Sequence, residues 1–233
     1  MARVYNFNPG PATLPEEVIK EAQGELLDYK GSGMSLLESS HRGKEYDAVH
    51  QEGVANVQKL LGLSDDYAVL FLQGGASLQF AMAPMNLVGE GKTADYTNSG
   101  SWAKKAITEA KILGCCHVAA DTSKETPARM PRQDELQLTD GAAYLHITTN
   151  ETIGGIRWKE FPKADAPLVA DMSSDIMSRP FDVSPFGVIY AGAQKNLGPA
   201  GVALVIVRKD LAESAPESVP TLLRYKTHIE KNS

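Results

Sequence analysis

Apolar positions fall into two alternating patterns along most of this chain. Short apolar runs bounded by Gly, Pro or polar residues predict strands over 67–72, 93–97, 116–120, 143–148, 168–172, 188–191 and 202–207. Between them lie stretches of helical spacing. Val49, Val54, Val57, Leu60 and Leu61 predict a helix over 44–61 that Gly62 ends. Further helices are expected from Gly74-Gly75-Ala76-Ser77 to about Asn86, and over 102–113. Near-continuous apolar strands with intervening helices indicate an α/β fold with a mostly parallel sheet covered on both faces.

The ends of the chain read differently. Residues 1–15 are an extended arm with turn chemistry at Asn8-Pro9-Gly10-Pro11. Thr13 and Glu16 have capping-box spacing and open a helix expected to reach about Tyr29. A polar loop follows through Ser39-Ser40-His41-Arg42-Gly43, and residues 121–140 read as a loop with a short helical turn. After Pro216 and Pro220, residues 222–229 look helical. The chain then stops at Lys231-Asn232-Ser233 with no packed terminal element, as a truncated protein would.

Composition narrows the classes. The 233 residues suffice for one large α/β domain, or one domain and part of a second. A net charge of -6 argues against non-specific nucleic-acid binding, which needs a basic surface. A local cluster of Arg and His can still hold an anionic small molecule. The two cysteines, Cys115 and Cys116, are adjacent, a spacing that fits a buried reduced pair in a cytoplasmic protein better than a disulfide. No metal-ligand spacing, signal pattern or membrane-length apolar stretch occurs. His50, His117, His146 and His228 have no triad or metal pattern around them and read as structural.

Several positions at strand ends could carry chemistry, and each has a plainer reading. Gly74-Gly75-Ala76-Ser77 joins a buried strand to a helix. Free N–H groups at such a start suit a phosphate, though a simple strand-to-helix turn has the same composition. Asp171 ends an apolar strand, where α/β sheets bind ligands, and could pair with a protonated ring nitrogen or merely cap a helix. Lys195 lies among small residues between two apolar strands. Desolvation there favours the neutral, nucleophilic amine, whereas most single lysines are simply solvated. Trp102 could stack on a planar cofactor or fill the core. Thr152 could donate to a phenolate or serve its turn, and His41 and Arg42 could grip an anion or face solvent. Taken in order, these residues match a cofactor with a phosphate, a ring, a phenolate, a ring nitrogen and an aldehyde.

Four segments carry a specific resemblance: Ser39-Ser40-His41-Arg42, Phe71 through Phe80, Ala170-Asp171-Met172-Ser173-Ser174-Asp175, and Tyr190 through Asn196. In these the chain resembles the phosphoserine aminotransferase family, class-V members of the fold-type-I pyridoxal-phosphate (PLP) enzymes. The likeness runs from Phe7 to the last residue. It implies that residues 16–233 form the large PLP-binding domain behind the arm, with the family's small C-terminal domain largely absent. It implies that Lys195 holds the cofactor as a Schiff base and moves the substrate proton, and that Asp171 pairs with the ring nitrogen. Trp102 would stack on the ring, Thr152 approach the phenolic oxygen, and Ala76, Ser77 and Gln194 hold the phosphate. Arg42, with His41 beside it, would bind the anionic substrate.

The implied reaction is amino transfer between L-glutamate and 3-phosphohydroxypyruvate, giving 2-oxoglutarate and O-phosphoserine in serine biosynthesis. The family also acts on a phosphorylated intermediate of pyridoxine synthesis. Its members are homodimers with shared active sites. The absent region holds a partner-reaching Asn-Thr pair and a carboxylate-binding Arg, so the fragment alone is expected to be inactive or weak, since losing a buried anion partner costs about 2–5 kcal/mol. Two other readings stand beside this one. A desulfurase needs a reactive cysteine on a mobile loop, and Cys115 and Cys116 follow a helix instead. A non-enzymatic phosphate-binding module predicts no PLP chromophore.

Overall fold

A computed structural model describes residues 3–232. In chain order the elements are α1 (Glu16–Gly24), α2 (Lys44–Leu61), β1 (Tyr67–Leu72), α3 (Gly75–Leu87), β2 (Ala94–Asn98), α4 (Ser101–Ile112) and β3 (Cys116–Asp121). Then come β4 (Leu145–Thr148), β5 (Asn150–Glu151), β6 (Ile156–Arg157), β7 (Leu168–Asp171), β8 (Phe186–Gly192), β9 (Ala203–Arg208), α5 (Lys209–Glu213) and α6 (Tyr225–Lys231). Single 3-10 turns lie at Leu36–Glu38, Gln133–Glu135 and Thr221–Leu223.

Seven strands form one sheet in the order β1-β9-β8-β7-β4-β2-β3. Neighbours from β8 to β3 are parallel, and β9 runs antiparallel to both β8 and β1. Five strands therefore end at the same edge as β8, where loops can meet. β5 and β6 form a separate antiparallel hairpin just after β4.

Alternate side chains of the sheet feed two cores. Tyr96, Val169, Val188, Tyr190, Val205 and Val207 face Phe80 and Met82 of α3, Ala106, Ile107 and Ala110 of α4, and Tyr225 of α6. On the other face Ile147, Ala170, Ile189 and Ile206 meet Val57 of α2, Trp158 and the aromatic cluster of Phe161, Phe181 and Phe186. Phe161 and Phe181 pack edge-on against Phe186, with centroids 5.1 Å and 5.7 Å away. Each fully buried large side chain contributes about 1.5–3 kcal/mol, so these rows fix the strand register that aligns the loops.

The N-terminal expectations need correction. α1 stops at Gly24 rather than near Tyr29, and none of its residues is buried. With no packed face, a helix of this length has little to extend it. Thr13 does not cap it, because its Oγ1 donates to Asn6 O and Pro15 stands at the N-cap. A capping box forms instead between Ser35 and Glu38. Of the cysteine pair only Cys115 is buried, and Cys116 is half-buried. The C-terminal segment is packed after all: Tyr225 is fully buried, its O–H donates to Gln79 Oε1 and its N–H to Asn86 Oδ1. The short α5 and the β5–β6 hairpin were not anticipated.

His146 is buried and within hydrogen-bonding distance of the Tyr190 hydroxyl, 2.7 Å from Nε2. His117 meets Asp95 Oδ1 at 2.8 Å, and the His50 ring lies edge-on to Phe71. No helix among the described residues is long and apolar enough to cross a membrane.

Candidate functional site

Four side chains converge where the parallel strands end. Asp171, the last residue of β7, is 5% exposed. Its Oδ1 accepts from Ser173 N at 3.0 Å and Ser173 Oγ at 2.7 Å, so a tight Asx turn aims the carboxylate as the strand ends. Ser173 Oγ in turn accepts from Gly192 N at 2.9 Å, which ties the ends of β7 and β8 together. Lys195 leaves the loop after β8. That loop is held by Leu197 N and Gly198 N on Ala193 O and by Asn196 Nδ2 on Ile176 O at 2.7 Å.

Lys195 Nζ donates to Thr152 Oγ1 and stands 4.7 Å from the centroid of the Trp102 ring. Thr152 begins the turn of the β5–β6 hairpin, and its hydroxyl also reaches Ser174 Oγ at 3.3 Å. Trp102 lies in the first turn of α4, and its Nε1 is buried without a hydrogen-bond partner among the described residues. Burial pushes the Lys195 amine below its ordinary value, against the pull of Asp171 and Glu151. Burial likewise raises the Asp171 carboxyl, against the two Ser173 hydrogen bonds and Lys195. An amine of lowered pKa beside a flat indole and a buried acid is suited to attack a carbonyl on a planar, cation-forming ring.

The start of α3 forms the adjoining wall. Gly74 has φ +85°, a conformation open to glycine, and a Cβ there would meet Leu78 Cδ2 at 2.5 Å. The first α3 bond runs from Leu78 N to Gly74 O, so the N–H groups of Gly75, Ala76 and Ser77 precede any intrahelical acceptor. These groups lie beside the lysine loop: a Cβ built on Gly192 would be 3.5 Å from Gln194 Oε1 and 3.7 Å from Ala76 N. The N-terminal arm closes over the same loop. Ala12 N donates to Gln194 O at 2.8 Å, and a Cβ on Gly10 would lie 2.9 Å from Lys195 Cγ.

Thus Lys195, Asp171, Trp102, Thr152, Ala76 and Gln194 gather at one edge, with Ser77 exposed on the first turn of α3. His41 and Arg42 do not join them. Both are exposed in the turn before α2, and neither side chain hydrogen-bonds a described residue. Three contributors went unread in the sequence: Ser173, the arm at Gly10, and Glu151. Glu151 is fully buried and accepts from Trp102 N at 3.1 Å and Ala103 N at 2.8 Å. Ser173 had a readable signal, the Asp-x-Ser spacing of an Asx turn.

The chain is similar to known proteins over nearly its whole length. The family model described as aminotransferase class-V matches residues 4–222. The phosphoserine aminotransferase of Niallia circulans is 56% identical over 232 residues, covering 99% of this chain and 64% of that protein. The solved phosphoserine aminotransferase from Bacillus circulans subsp. alkalophilus matches with a TM-score of 0.95 at 56% identity, over 99% of this chain and 64% of that one. A PLP-bound phosphoserine aminotransferase from Trichomonas vaginalis matches with a TM-score of 0.94 at 39% identity, over 99% and 65%. The chain therefore spans less than two thirds of the length of the relatives it matches. Its mostly parallel seven-stranded sheet is that of the fold-type-I aminotransferase structures.

Proposed function

The chain belongs to the class-V aminotransferase family, and from that membership we propose that it forms the large domain of a PLP-dependent phosphoserine aminotransferase. The reaction is amino transfer between L-glutamate and 3-phosphohydroxypyruvate, yielding O-phospho-L-serine and 2-oxoglutarate for serine biosynthesis. In this reading residues 16–233 are the cofactor-binding domain, 1–15 an N-terminal arm, and a small C-terminal domain belongs to the longer protein. That protein works as a cytoplasmic homodimer with shared sites.

The observation that carries the reading is the meeting of Lys195 Nζ with the Thr152 hydroxyl and the Trp102 ring beside buried Asp171. The donor set fits pyridoxal phosphate. The free N–H groups of Ala76 and Ser77, with Gln194, suit its phosphate, and the indole of Trp102 its ring. Asp171 Oδ1 takes both Ser173 bonds, which leaves Oδ2 for a protonated ring nitrogen. When bound, the cofactor supplies an aldehyde that exchanges amino groups and a ring that takes up electrons. Asp171 keeps a positive ring nitrogen in place by charge, and Thr152 directs the Lys195 amine. Lys195, whose amine is pushed below its ordinary value by desolvation, moves the proton at the substrate α-carbon. Arg42, with His41 beside it, binds the anionic substrate.

The test is an amino-transfer assay on the full-length protein with glutamate and a panel of keto acids, beside a visible absorbance scan. The reading expects 3-phosphohydroxypyruvate to be the preferred acceptor and Lys195→Ala to abolish both turnover and the visible band. A different preferred acceptor would overturn the substrate assignment, and a band unchanged in Lys195→Ala would overturn the role of Lys195.

A further inference from the structure

The hairpin that carries Thr152 also carries a second group, held by a different element. Glu151, the last residue of β5, is adjacent to Thr152, the first residue of the turn. Thr152 meets Lys195, while the Glu151 carboxylate lies at the N-terminus of α4 on the N–H groups of Trp102 and Ala103. The N-cap residue of α4, Gly100, has no side chain to do this. A Cβ on Gly100 would stand 2.7 Å from Glu151 Cδ and 2.9 Å from Oε2, so the approach requires a bare backbone there. A fully buried carboxylate is costly unless it is held by donors, and here the positive helix end and two N–H groups hold it. One dipeptide of the hairpin thus holds both the lysine, through Thr152, and the first turn of α4 with Trp102, through Glu151.

We infer that Glu151 is a positioning residue that fixes the Trp102 indole relative to Lys195 and thereby sets the affinity of the cleft for a planar cofactor. The inference rests on the reading that pyridoxal phosphate occupies the cleft. A plain structural cap would lower stability alone. A positioning group changes how the cofactor is held.

The experiment uses the full-length protein as wild type, Glu151→Gln, Gly100→Ala, Trp102→Phe and the Glu151→Gln/Trp102→Phe double variant. Gly100→Ala displaces the carboxylate without removing its charge and decides the matter if Glu151→Gln fails to fold. Three quantities are read: the Kd for pyridoxal phosphate, the induced circular dichroism of its visible band, and the unfolding midpoint of the cofactor-free protein. Losing one charge-assisted hydrogen bond is expected to weaken binding about tenfold in both Glu151→Gln and Gly100→Ala. The induced dichroism should fall with it. In the Trp102→Phe background, Glu151→Gln should add less than about threefold, because the two residues act through one contact. A lowered midpoint with Kd and dichroism unchanged overturns the inference, as does full additivity in the double variant. If wild type binds no pyridoxal phosphate, the cofactor reading itself fails, and that outcome is distinct from a failure of Glu151 alone.

Discussion

Replacing Ser173 by alanine removes one hydroxyl that serves two elements. In the structure Ser173 Oγ donates to Asp171 Oδ1 at 2.7 Å and accepts from Gly192 N at 2.9 Å. The Ser173 N–H bond to Oδ1, at 3.0 Å, survives in alanine. The first loss is a hydrogen bond to a charged group, about 1.5–3 kcal/mol, and the second leaves the N–H of buried Gly192 without its acceptor, about 1–3 kcal/mol. The two share one atom and are not independent, so the expected loss is about 3–5 kcal/mol. Equilibrium urea unfolding of the full-length protein measures it, with Ser173→Thr as the variant that keeps the hydroxyl. The same change removes a group that favours the ionised carboxylate, so the Asp171 pKa should rise further above its ordinary value. A loss in Ser173→Ala below about 1 kcal/mol would refute the reasoning, since even one orphaned buried donor costs more than that.

Two further outcomes follow from buried groups elsewhere. Burial pushes His146 down to about 3 from an ordinary 6.5. The unfolded imidazole binds a proton below its ordinary value and the native one does not until about 3, so stability is lost as pH falls through that window, at about 1.4 kcal/mol per pH unit. His146→Phe should remove that part of the acid sensitivity in unfolding midpoints taken at stepped pH, and an acid response equal to wild type would contradict it. Gly74→Ala should cost about 1–3 kcal/mol in urea unfolding, because φ is +85° and the new Cβ meets Leu78 at 2.5 Å. A neutral result would show that the turn relaxes freely.

The strands were legible because both faces of the sheet are buried, which leaves near-continuous apolar runs; β1, predicted over 67–72, matches its run at both ends. α2 was legible from its periodicity and from Gly62, which caps it in the left-handed conformation. α1 falls short of the expected length because nothing packs on it: Val18 and Ile19 remain 52% and 40% exposed. Periodicity predicts a buried face only where something packs on it. At the site, Lys195, Asp171, Trp102 and Thr152 were readable from their strand-end positions, and they do converge. Glu151 was not readable, because its partners are backbone N–H groups 48 and 49 residues away. Ser173 could have been found: Asp121 with Ser123 and Asp182 with Ser184 form the same turn at the same spacing. For His41 and Arg42 the loop itself suggests only an anion grip or a solvated pair, the substrate role is what the resemblance implies, and no hydrogen bond of either side chain to a described residue ties them to the cluster.

The central claim is that the amine of Lys195 is the one joined to the cofactor. Borohydride reduction of the full-length protein after loading with pyridoxal phosphate, followed by peptide mass mapping, tests it directly. A single phosphopyridoxyl group on the peptide containing Gln194-Lys195-Asn196 is the predicted result. An unmodified Lys195, or modification spread over exposed lysines such as Lys20 and Lys59, would contradict the account.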